Sequence, residues 1–65
     1  MNEVKRVAFE KDVIVIESVG KLGYKASIEY HDGHPRSFVT SGNELDVVEN
    51  RAVAVAAKLR SHGLL

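Results

Sequence analysis

Two hydrophobic periods divide this chain, a period of two over most of its first two thirds and a helical period over the last. Val13-Ile14-Val15-Ile16 is β-branched at every position and follows Lys11-Asp12, so 13–18 reads as a strand. Its apolar side chains point to both faces, which predicts burial on both sides. Upstream, Val4, Val7 and Ala8 have helical spacing while Val7 and Phe9 alternate. The segment 4–10 is predicted as an edge strand paired with 13–16, with a short helix as the alternative. After the two-glycine connection Gly20-Lys21-Leu22-Gly23, the residues Tyr24, Ala26, Ile28 and Tyr30 alternate with Lys25, Ser27, Glu29 and His31. That is the pattern of a half-buried strand.

The stretch Tyr30-His31-Asp32-Gly33-His34-Pro35-Arg36 then predicts a turn, because Asp-Gly supplies the positive φ that tight hairpins demand. A strand over 35–40 completes the hairpin, with Pro35 at its start, where no ladder bond is lost. Two registers follow. A two-residue turn pairs Glu29 with Arg36 and puts Val39 on the face of Ala26; a three-residue turn with Gly33 as the bulge brings Phe38 there. The second is favoured, since Phe38 is the largest apolar group in that strand.

Leu45, Val48, Ala52, Val55, Ala56 and Leu59 form one stripe at helical spacing, which predicts a C-terminal helix with this face on the sheet. Ser41 with Glu44 fits a capping box, and Asn43 with Asp46 fits one equally. Acids lie near the start (Glu44, Asp46, Glu49) and Lys58, Arg60 and His62 near the end, as the helix dipole prefers, with Gly63 placed to stop it. The expected fold is α+β: a small three- or four-stranded antiparallel sheet with one C-terminal α-helix packed on one face, in a single domain over 1–65. One helix covers one face only. The other face of the Val13–Ile16 strand is therefore expected to meet a second copy or another protein, and a homodimer is expected, formed either sheet face to sheet face or through an exposed edge strand, with Val13, Ile14, Val15 and Ile16 at or near the contact.

Composition narrows the function. A chain of 65 residues without cysteine has no disulfide and no thiolate metal site, so a partner subunit is the expected source of extra stability. Nine Lys and Arg balance nine Asp and Glu, which argues against a surface that tracks phosphates. No window approaches a membrane span, so no membrane partner is expected and the protein is expected to be soluble and cytoplasmic. His31 and His34 flank Asp32-Gly33 and would share a face across a tight turn, yet no further ligand stands at motif spacing, so a turn is expected rather than a metal site. None of the serines sits in a glycine-flanked nucleophile motif, and Gly20–Gly23 lacks the Lys-Ser/Thr ending of a phosphate loop. Asp46 and Glu49 read as a solvated helix face. No catalytic residue, cofactor or metal is expected.

The order Gly23-Tyr24 at a strand start, a hairpin, Gly42-Asn43 at a cap, and Leu45 and Ala52 on a helix face resembles the N-terminal domain of HicB-like antitoxins over roughly 13–60. That resemblance implies a protein partner such as a small toxin. The order of elements also resembles a double-stranded-RNA-binding domain, particularly with 3–9 as a helix, and a nucleic-acid-binding reading would use Lys21, Lys25, Arg36 and His34. The start of the last helix reads Asn43-Glu44-Leu45-Asp46, with acids where that family places cations to grip phosphates. The leading expectation is a non-enzymatic protein-interaction module, antitoxin-like or an accessory protein of a mobile element, and a small RNA- or DNA-binding domain with a double-stranded-RNA-binding-like fold is the alternative.

Overall fold

The structure, a computed structural model, describes residues 2–64. Four strands and one helix follow in order: β1 (Asn2–Phe9), β2 (Asp12–Ser18), β3 (Tyr24–Glu29), β4 (Ser37–Gly42) and α1 (Leu45–Ser61), with a single 3-10 turn at Gly20–Leu22. The strands form one antiparallel sheet in the order β1-β2-β3-β4. The α+β fold is that expected, with four strands and not three. The N-terminal segment is the edge strand and not the alternative helix. Glu10-Lys11 makes the two-residue connection to β2, with Phe9 paired to Asp12 and Glu10 at φ 53°, the positive φ such a turn requires.

Register places Phe9, Ile14, Ile16, Ala26 and Ile28 on one face, where they form the core with Val39 and with Val48, Ala52 and Ala56 of α1. The helix phase is as the stripe predicts, though Leu45, Val55 and Leu59 are only half-buried. Its start differs from the expectation: Glu44 is the N-cap, with no side-chain hydrogen bond from any cap residue. Neither capping box forms, because β4 runs on to pair Gly42 with Tyr24 and so holds Ser41 in a strand. At the other end, Gly63 at φ 73° donates to the Arg60 carbonyl and Leu64 to that of Leu59, the paired bonds of a Schellman stop.

The β3–β4 register combines both sequence readings. Ser27 pairs with Phe38 and Ile28 with Ser37, as the shorter turn requires, while Ala26 pairs with Thr40 after a bulge. Val39 is the extra residue. The bulge lets both Val39 and Thr40 turn inward, 8% and 9% exposed, and leaves Phe38 on the opposite face at 61%. The favoured placement of Phe38 in the core is thus corrected. The intervening loop, 30–36, is also longer than either tight turn, with a hydrogen bond from Gly33 N–H to the Tyr30 carbonyl.

Burial within a single chain corrects the expected partner contact of Val13–Ile16. Ile14 and Ile16 meet the helix, and Val15 points to the other face, yet all three are 0% exposed in a single chain. They offer no surface to a partner, and Val13 is half-buried. Val15 is paired with Arg6 and Ser27 on either side.

Candidate functional site

The face away from the helix carries a connected set of ion pairs. Arg6 and Arg36 each lie 2.6 Å from a different oxygen of Glu29, Arg6 also reaches Glu3 at 2.9 Å, and Glu17 lies 3.9 Å from Arg36 and 4.0 Å from Lys25. Cross-strand pairing builds this lattice, since Glu17 stands opposite Lys25 and Glu29 opposite Val13. The Glu29 carboxyl is lowered from its usual range by the hydrogen bond from Arg6 first and that from Arg36 second. Two of the residues expected to meet nucleic acid, Lys25 and Arg36, are consequently held against carboxylates. Lys21 lies exposed in the 3-10 turn, at the opposite end of β3 from the 30–36 loop that carries His34.

The two histidines engage different acids. His34 Nδ1 sits 2.7 Å from Asp32, which also accepts the His34 backbone N–H; these two contacts, in that order, lower the Asp32 carboxyl. His31 donates its backbone N–H to Asp12 and lies 2.9 Å from it through Nδ1. Among the described residues, no group of three or more His, Cys, Asp or Glu is arranged to hold a metal ion.

Asp12 is the most buried charge, its side chain 2% exposed. The Arg60 guanidinium, 2.6 Å away, and then the two His31 contacts hold this carboxyl well below the usual carboxylate range. Arg60 also pairs with Glu10 and lies 5.0 Å over the Phe9 ring, a cation–π arrangement. It ties the last turn of α1 to the β1–β2 hairpin. Sequence reading missed this cluster, whose ion-paired members stand as far as 50 residues apart, from Glu10 to Arg60. The signal present was an Asp in a β-branched context, beside the strand start.

Two open depressions flank Tyr30. One of about 400 Å³ is lined by Tyr30, Asp32, His34, Pro35 and Ser37. The other, about 380 Å³, lies between the β1–β2 turn, His31 and Arg60. In the first, Tyr30 bonds Ser37 at 2.9 Å, and among the described residues no serine is paired with a histidine in the manner of an activated nucleophile. No helix among the described residues is long and apolar enough to cross a membrane. No family model matches the chain, and neither a curated protein nor a solved structure matches it.

Proposed function

We propose that this chain is a non-enzymatic protein-interaction module that acts as a homodimer and covers the surface of a protein partner. The carrying observation is Phe38, an aromatic side chain 61% exposed on the edge strand β4, beside a face whose cations are neutralised by neighbouring carboxylates. An exposed aromatic on a strand edge suits a protein surface. The likeness of 13–60 to HicB-like antitoxin domains supports a small toxin as the kind of partner. The nucleic-acid reading requires cations free to displace counterions, and Lys25, His34 and Arg36 each have an acid within 4.0 Å.

Titration of the protein against duplex RNA and duplex DNA at low salt tests this. The expected result is no saturable binding. Binding that weakens steeply with added salt, and is lost in a Lys21→Ala/Lys25→Ala/Arg36→Ala variant, would overturn the module in favour of nucleic acid.

A further inference from the structure

The two edges of the sheet are built differently. β1 carries Glu3, Lys5 and Arg6 and has a register break at Val4, the charges and irregularity that keep edges from pairing. β4 reads Ser-Phe-Val-Thr-Ser-Gly, without a charge over its six residues. Among the described residues its outward backbone faces no fifth strand. What fits such an edge is a row of alternating peptide donors and acceptors from another extended, uncharged segment. β4 is itself such a segment.

We infer that β4 is the subunit contact: two copies join antiparallel along Ser37–Gly42, merging two four-stranded sheets into one with both α1 helices on the same face. This inference rests on the interaction-module reading and deepens it by naming the surface and the occupant. Three features of the chain favour a second copy. A two-fold axis between Val39 and Thr40 sets Phe38 opposite the partner's Ser41, and both positions belong to the face away from the helix, as their pairing with Ser27 and Lys25 requires. Side-chain parity is thus kept across the junction in spite of the bulge.

The helix position agrees as well. α1 packs over β4 and β3 more than over β2, and with strands about 4.8 Å apart a helix above the β3–β4 boundary comes to lie roughly 10 Å from its two-fold mate, an ordinary helix-packing distance. The third feature is charge. Glu44 and Asp46 at the start of α1 and Lys58 near its end make no ion pair within the chain among the described residues. Antiparallel helices bring the acidic end of one copy beside the Lys58 end of the other, where opposite charges and opposed helix dipoles both attract. Pairing also asks Arg51 to turn aside, since it donates to the Ser41 carbonyl at 3.0 Å.

Sedimentation equilibrium of the full chain from about 10 µM to 1 mM covers the weak range expected of so small an interface. The mass is expected to rise from 7.2 kDa toward twice that value. Phe38→Lys should weaken association about ten-fold or more, with the far-UV circular dichroism of the monomer unchanged. Lys58→Glu should weaken it also, and Lys58→Glu combined with Glu44→Lys should restore it, a rescue that a merely structural role does not produce. A mass that stays at one chain at the highest concentration overturns the inference and the homodimer of the proposed function with it, while the covering of a protein partner is judged separately by the nucleic-acid titration. A dimer indifferent to both Phe38→Lys and Lys58→Glu overturns it equally.

Discussion

Gly23→Ala is expected to be among the most damaging single-methyl additions to this chain. Gly23 has φ +100° and ψ −127°, a region that residues with a Cβ avoid, at a cost of about 1–3 kcal/mol. The new Cβ would also fall 2.3 Å from the Gly42 carbonyl oxygen and 2.9 Å from the Asn43 Cα. Both contacts are backbone, so relief means separating the end of β4 from the 3-10 turn, at about another 1–3 kcal/mol. A gain of about 0.4–1 kcal/mol from the stiffer unfolded chain offsets part of this. The net loss is about 2–5 kcal/mol, against a total stability of about 3–10 kcal/mol for 65 residues. Gly33→Ala is the control, because Gly33 also has positive φ, +86°, but nothing lies within 4 Å of its added Cβ. It should lose about 1 kcal/mol, from strain alone. Urea unfolding followed by circular dichroism, with the slope m unchanged between variants, measures both. If the two substitutions cost the same within about 0.5 kcal/mol, the close crossing of Gly23 and Gly42 contributes nothing and the reasoning fails.

Asp12, Glu29 and Asp32 all have carboxyl pKa values below their ordinary ones; groups of this kind contribute stability that is present above the unfolded pKa of about 4 and is lost as pH falls through the folded value. Stability should therefore fall below about pH 4, and Asp12→Asn should flatten that fall more than Asp32→Asn; acid titrations of the urea midpoint showing equal slopes would contradict the dominance of the Asp12–Arg60 pair. Adjacent residues test the helix phase: Val48, 0% exposed, should cost about 2–3 kcal/mol as Val48→Ala, whereas Val47, 41% exposed, should tolerate Val47→Asp within about 0.5 kcal/mol. Equal losses in thermal unfolding would mean that α1 is rotated.

Local pattern was enough for whatever depends on neighbours along the chain. The stripe from Leu45 to Leu59 placed α1 and its buried face, because helical spacing reports one face whatever it packs against. Alternation through Tyr24, Ala26, Ile28 and Tyr30 placed β3 in the same way. Val7 and Phe9 alone did not decide between strand and helix; the strand is settled by pairing with β2 from Asn2 to Phe9. Decisions resting on distant residues needed the tertiary structure. Phe38 is outside and Val39 inside because a bulge opposite Ala26 and Ser27 changes the register within a single strand, and no periodicity of β4 itself encodes that step. Val15 is buried without a partner chain, on the face where Arg6, Glu29 and Arg36, from three other parts of the chain, pair with one another. Asp12 meets His31 only once β3 has paired with β2, and Arg60 only once the helix has returned across the sheet. Each is a contact between residues far apart in sequence, fixed by how packed elements meet and not by the local preferences of the residues involved.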